Sequence, residues 1–209
     1  MNIQSEFDYL VKIALLGDTT VGKTNLVSRF TDNIFLSNNP PTIGYDYKSK
    51  VILLKNSKKK AKLQIWDTAG QERYMSLCKT VFQRVDGVIL VYDITVIKSF
   101  DNILNWMKIV KEFNDKMPIL LIGNKTDLGN NRLISYEEGK KLADENNLKF
   151  FETSALNGNN VDEAFILFGN IVANYLKSKT SLVSDSFSID KHTHKIKKYI
   201  YNNIKKIIN

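Results

Sequence analysis

A chain of 209 residues, 43% hydrophobic and 25% charged, has material for one substantial core, and its single cysteine, Cys78, excludes an intramolecular disulfide. No apolar run approaches the ~18 residues of a membrane-spanning helix and the opening MNIQSEFDYL lacks a secretory pattern, so a soluble or peripheral protein of a reducing, cytoplasmic compartment is expected. The formal charge of +8 is uneven: residues 191–209 carry six lysines and no acid, leaving 24 basic against 22 acidic side chains elsewhere, which argues against a nucleic-acid partner.

YLVKIALLG (9–17) reads as a buried strand running into a glycine-bearing loop, and 23–31 as a short helix carrying Leu26, Val27 and Phe30. YKSKVILL (47–54) and KLQIWD (62–67) read as a hairpin pair joined by the lysine-rich turn KNSKKKA. GVILVYDI (87–94) and MPILLIGN (117–124) are continuous apolar runs, as central parallel strands covered on both faces require. Between them, Phe100, Ile103, Leu104, Met107 and Val110 recur at helical spacing. Ser135 with Glu138 predicts a capping box, and LKFFET (148–153) a last strand. A final helix places Val161, Ala164, Phe165, Phe168, Ile171, Val172 and Leu176 on one face. This alternation predicts an α/β doubly wound, mostly parallel sheet with one antiparallel edge strand and helices on both faces. The domain is expected over 1–177, followed by a polar linker and a basic, isoleucine-rich tail over 178–209.

GDTTVGKT, Gly17–Thr24, matches G-x-x-x-x-G-K-[ST] between a predicted strand and a predicted helix, which makes the fold of the P-loop NTPase type. Backbone amides of Thr19, Thr20, Val21, Gly22 and Lys23 can wrap phosphates, because glycine removes side chains that would block close approach. Lys23 adds a point charge for the outer phosphates, the Thr24 hydroxyl suits Mg²⁺, and Asn25 joins the nucleotide-binding positions. GNKTDLG offers Asn124, Lys125 and Asp127 after a buried strand. A carboxylate there accepts hydrogen bonds from the ring NH and exocyclic amine of guanine; adenine lacks that donor pair, and such sites discriminate by roughly 10⁴-fold. In WDTAGQE (66–72), Asp67 is placed to hold a water on the magnesium, the Gly70 amide to reach a γ-phosphate, and Gln71 to orient an attacking water. In ETSAL (152–156), the Ala155 amide can meet the guanine carbonyl while Ser154 braces the turn.

These four segments resemble those of the Ras-like small GTPases, over residues 9–177, and within that family the chain looks most like Rab proteins. TIGYDYK resembles the Rab first-switch signature, KLQIWDTAGQERY is nearly the standard Rab sequence, and YDIT followed by SFDNILNW is also similar. The resemblance implies that Phe35 stacks an edge of the guanine and that Thr42 ligates Mg²⁺ only while a γ-phosphate is present. It implies two switch segments, near 34–47 and 68–82, ordered by GTP and released on hydrolysis to GDP. Lys23 and Gln71 are then the catalytic residues, Leu156 lies over the base, and Ile43, Gly44, Tyr47, Trp66 and Val81 form the effector surface. The implied partners are a GTPase-activating protein, an exchange factor and effectors of Rab type, and the implied role is in vesicle trafficking. Predicted switch I has no arginine, so hydrolysis is expected to be slow unless an activating protein supplies one, an effect of about 10³–10⁵-fold. The chain departs from the Rab pattern in VFQRVDG after the second switch, in Val81 at the third position of the aromatic triad, and in Leu156 for the lysine of TSAK. A nucleotide-locked scaffold that binds partners without turnover, and an ATP-using P-loop kinase, stay open; NKTD disfavours the second.

Rab proteins usually end in prenylated cysteines, whereas Cys78 falls in the second switch region and the sequence ends KKIIN, so that anchor is expected to be absent. At ~100° per residue, Ile196, Tyr199, Ile200, Ile204, Ile207 and Ile208 share about half a helix, with Lys195, Lys198, Asn202, Lys205 and Lys206 opposite and Lys197 and Asn203 intruding on the apolar side. Such a helix suits an anionic membrane surface through residues 191–209 and a peripheral place on the cytoplasmic face of an endomembrane. A disordered tail, or a variant lacking a prenylated end, are the alternatives.

Overall fold

The computed structural model describes residues 6–37, 42, 45–55, 57–68 and 82–179. Strand β1 (Tyr9–Leu16) leads into helix α1 (Lys23–Asp32), and β2 (Tyr45–Leu53) and β3 (Lys60–Thr68) follow. Next come β4 (Gly87–Asp93), the short helix α2 (Ile97–Asp101), α3 (Ile103–Phe113) and β5 (Ile119–Asn124). A 3₁₀ segment (Thr126–Asn131), α4 (Tyr136–Glu145) and β6 (Lys149–Thr153) precede helix α5 over 161–179.

The strands form one six-stranded sheet in the order β2-β3-β1-β4-β5-β6. Every pairing is parallel except that of the edge strand β2 with β3, in which Tyr47 faces Trp66 and Leu53 faces Lys60. This is the doubly wound α/β fold of P-loop NTPases, with helices on both faces. Strand β4 is buried along its whole length, which is why GVILVYD shows no alternation. On one face Leu90 and Tyr92 pack with Ile103, Trp106, Met107 and Val110 of α3. On the other, Phe30 of α1 stacks on Phe165 of α5 with ring centroids 4.5 Å apart, and Ile52 and Leu63 close on Gly169. The strand order turns at β1, whose neighbours β3 and β4 lie on opposite sides, so ligand-sized space opens beyond its carboxyl end.

The predicted capping box is present: the Glu138 N–H donates to Ser135 Oγ at 3.2 Å, and the Ser135 N–H donates to the Glu138 carboxylate at 2.7 Å. In the helical stretch before β5, Ile103, Met107 and Val110 are buried and Phe100 packs beside them as expected, but one position differs. Leu104 is 52% exposed, and Trp106, 3% exposed, takes its place on the packed face. The buried positions of α3 are Ile103, Trp106, Met107 and Val110, a single i, i+3, i+4, i+7 stripe.

The chain divides into a unit Met1–Ala173 and a unit Asn174–Asn209, and residues 180–209, with the predicted basic tail, lie outside the described residues. Among the described residues no helix is long and apolar enough to cross a membrane.

Candidate functional site

The loop between β1 and α1 is shaped by two glycines in the left-handed region, Gly17 at φ 141° and Gly22 at φ 97°. A Cβ at Gly17 would stand 2.1 Å from the Val91 carbonyl oxygen, and one at Gly22 would stand 2.5 Å from the Asn124 side-chain nitrogen. Helix α1 starts with no side-chain cap and no acid in its first turn, so its leading amides and positive dipole end favour an anion. Lys23 is 5% exposed and donates to the carbonyls of Gly17 (2.9 Å) and Asp18 (2.7 Å), which folds its ammonium across the loop. The Asp18 carboxylate accepts from Asn102 Nδ2 at 2.7 Å and Trp106 Nε1 at 3.0 Å, so α3 and the residue before it brace the outer wall of the loop. A cavity of about 220 Å³ lies beside it, lined in part by Asp18, Thr19, Thr20, Val21, Lys98 and Asn102.

Three residues named from sequence as magnesium ligands meet. Thr24 Oγ1 donates to Asp67 Oδ2 at 2.6 Å and lies 3.0 Å from Thr42 Oγ1, and the Thr42 hydroxyl donates to the same carboxylate oxygen at 3.4 Å. Asp67 is 6% exposed, and its Oδ1 is buried without a hydrogen-bond partner among the described residues. Burial pushes its pKa above the usual carboxylate value, while the Thr24 hydroxyl and the Lys23 charge pull it back. A buried carboxylate with an orphaned oxygen, flanked by two hydroxyls, fits a hard divalent cation such as Mg²⁺.

The other flank carries the residues assigned to the base. Asn124, 1% exposed, donates to the Val21 carbonyl at 2.9 Å and accepts from Thr153 Oγ1 at 3.1 Å, so it joins this strand to the phosphate loop. Lys125, at φ 72°, pairs through Nζ with the buried Asp93 carboxylate at 2.7 Å. Asp127 accepts a hydrogen bond from the hydroxyl of Ser154, which is fully buried. Ala155 is buried and Leu156 is 49% exposed. Asn25 of α1 makes two hydrogen bonds with the backbone of Leu36 (3.1 and 3.2 Å), fixing the segment that carries half-buried Phe35. Arg29, Asp18, Asn102 and Trp106 have no role assigned from sequence, although the last three lie in quoted motifs, because each acts through contacts between distant segments.

Tyr47 and Trp66 are cross-strand neighbours with ring centroids 5.7 Å apart, Tyr47 55% and Trp66 8% exposed, so one ring is presented on a buried base. Gly70, Gln71, Ile43, Gly44 and Val81 lie outside the described residues.

A sequence profile of the Ras family matches residues 12–174. GTP-binding protein ypt3 of Schizosaccharomyces pombe is 48% identical over 163 residues, 78% of this chain and 75% of that protein. Ras-related protein RIC1 of Oryza sativa subsp. japonica is 42% identical over 175 residues, 83% of this chain and 86% of its own. Ras-related protein Rab-8B of Pongo abelii is 44% identical over 174 residues, 83% of each chain. With this sheet, this phosphate loop and these relatives, the chain belongs to the Ras family and is a Rab-like small GTPase.

Proposed function

We propose that the protein is a GTP-binding and GTP-hydrolysing switch of Rab type that regulates vesicle trafficking. The observation that carries this reading is the meeting of Thr42, from the first predicted switch, with Thr24 of the phosphate loop and Asp67 at the end of β3. A switch residue within hydrogen-bond distance of the phosphate side is what couples the state of a nucleotide to the shape of a surface.

On this reading the amides of Thr19–Lys23 and the Lys23 ammonium hold the phosphates, and the Gly70 amide reaches the γ-phosphate. Bound Mg²⁺ supplies charge neutralisation on the phosphates, with Thr24, Thr42 and, through water, Asp67 as the residues that would hold it. Asp127 and the Ala155 amide select guanine, Lys125 and Phe35 flank the ring, and Leu156 covers it. Gln71 orients the attacking water. With no arginine in the predicted first switch, turnover is slow until an activating protein contributes one.

The G domain is assigned to 1–177 and the tail to 178–209. An exchange factor and effectors of Rab type would act at the switches, the effectors against the Tyr47–Trp66 pair with Ile43, Gly44 and Val81. The site of action is the cytoplasmic face of an endomembrane, with the lysines of 191–209 attracted to anionic lipid by about 1 kcal/mol each near the surface. Liposome co-sedimentation of the full chain and of a form ending at Leu182 measures that attraction.

Single-turnover hydrolysis of GTP, with and without a Rab-type activating protein, tests the switch itself. Wild type should hydrolyse slowly alone and much faster with the activating protein, while Gln71→Leu should stay loaded with GTP. Equal rates for the two proteins would remove Gln71 from the reaction. A wild type that binds GTP and never turns it over would instead be a nucleotide-locked scaffold.

A further inference from the structure

Arg29, half-buried on the last turn of α1, reaches two separate parts of the site with one guanidinium. Its Nε donates to the Ala155 carbonyl at 2.9 Å and an Nη to the Leu156 carbonyl at 2.7 Å. The other Nη donates to both the backbone oxygen and the side-chain oxygen of Asn33, at 3.0 and 2.9 Å. The first pair of acceptors belongs to the loop after β6, on the base side. The second pair opens the segment that leads to Phe35, held in turn by Asn25 at Leu36. Asn33 is in the left-handed region at φ 57°, and its N–H returns to carbonyls of α1, including that of Arg29 itself. The stem of the arginine passes Gly158, where a Cβ would lie 3.7 Å from Arg29 Cδ.

A planar fork of donors fixes both the distance and the angle between its acceptors, which a lysine or a neutral side chain does not. The loop over the base and the root of the first switch are therefore joined through one rigid group, and neither moves away without straining the hydrogen bonds of the other. On the GTPase reading the base loop and the segment carrying Phe35 both border the nucleotide, so holding them together opposes its release.

We propose that Arg29 is a positioning residue that latches the base loop, Ala155–Leu156, to the root of the first switch at Asn33, and thereby sets how long a guanine nucleotide is retained. The proposal rests on the GTPase reading above and adds a route for exchange. Whatever draws the first switch away from the domain also loosens the base loop through Arg29, and by thermodynamic reciprocity nucleotide binding tightens the root of the switch.

The test is the release of fluorescently labelled GDP from the full chain, chased with excess GDP, for wild type and Arg29→Met. Arg29→Met should release GDP about tenfold faster, the scale of one charge-assisted hydrogen bond, with the association rate unchanged. The factor should be the same in Mg²⁺ and in EDTA, because Arg29 works on the base side and Thr24, Thr42 and Asp67 on the phosphate side. Release at the wild-type rate would overturn the latch, as would an acceleration that disappears in EDTA, the mark of a general loosening around the phosphates. Should Arg29→Met fail to fold, Asn33→Gly keeps the left-handed backbone and removes one of the four hydrogen bonds. It should release GDP about threefold faster, and an unchanged rate would equally overturn the proposal. A wild type that retains no guanine nucleotide would overturn the GTPase reading itself, a result distinct from either variant matching wild type.

Discussion

Asn124 donates its side-chain amide to the Val21 carbonyl at 2.9 Å, joining two segments 103 positions apart. The oxygen of the same amide accepts from Thr153, so one buried side chain fixes the spacing between the phosphate loop, β5 and the end of β6. Asn124 thus acts first as a strut.

Replacing it with alanine leaves the Val21 carbonyl and the Thr153 hydroxyl without these partners in a dry interior. Asn124→Ala should destabilise the GDP-loaded protein by about 2 kcal/mol or more in urea unfolding. Asn124→Asp keeps the shape but turns a donor into an acceptor facing a carbonyl, and should be at least as damaging. An unchanged unfolding midpoint for either variant would contradict the strut.

Gly22 stands against the same amide. Its φ of 97° disfavours any side chain, and an added Cβ would lie 2.5 Å from the Asn124 nitrogen. Gly22→Ala should therefore reduce nucleotide affinity at least tenfold while leaving the sheet formed, which equilibrium titration with labelled GDP alongside circular dichroism separates. Wild-type affinity would mean that the loop tolerates a shift the geometry forbids.

Burial raises the pKa of Asp67, although the Thr24 hydroxyl and Lys23 counter it. A carboxyl whose folded pKa lies above its unfolded value of about 3.8 contributes stability below that value and loses it as pH rises through the folded pKa. Once ionised, the group is a cost to the metal-free fold, and a cation relieves it. Asp67→Asn should raise the melting temperature in EDTA and abolish the slowing of GDP release by Mg²⁺. A lower melting temperature together with an intact Mg²⁺ response would contradict this account.

The Tyr92 hydroxyl is buried with no hydrogen-bond partner among the described residues, close enough to Gly123 and Gly139 that a Cβ at either would clash with it. Burial, helped by the negative charge of Glu152, raises its pKa well above the ordinary value of 10.0. The native state therefore resists ionisation that the unfolded chain accepts. Stability should fall by about 1.4 kcal/mol per pH unit above pH 10 from this group. Tyr92→Phe should change stability at pH 7 by no more than about 1 kcal/mol, in either direction, and flatten that alkaline loss. A large destabilisation at pH 7 would reveal a partner for the hydroxyl.

The parts of the molecule that were legible in the sequence are those whose physics is local. Strand β4 announces itself as an apolar run, the α4 cap as Ser135 and Glu138, and the phosphate loop as glycines placed where a side chain would strike Val91 or Asn124. Contacts between distant segments left no such mark. Arg29, Asp18 and Trp106 read as ordinary polar or apolar positions until the fold brings each to a partner more than 80 positions away. Lys48 and Lys50 carry no mark in YKSKVILL beyond their place in a strand, yet Lys48 reaches Ser28 and Asp32 at 3.0 and 2.7 Å, and Lys50 lies 4.3 Å from the centre of the Phe30 ring. Leu104 and Trp106 flank the same stripe of Ile103, Met107 and Val110, and helical periodicity alone does not decide which of the two flanks is covered.

Ser154 donates to Asp127, and on the proposed function that braced carboxylate selects guanine. Competition of guanine, xanthine and adenine nucleoside diphosphates against labelled GDP tests it most directly, on wild type and on Asp127→Asn. Wild type should prefer GDP over ADP by roughly 10⁴-fold, and Asp127→Asn should shift its preference to the xanthine nucleotide. Adenine competing on equal terms, or an Asp127→Asn protein that still prefers guanine, would contradict it.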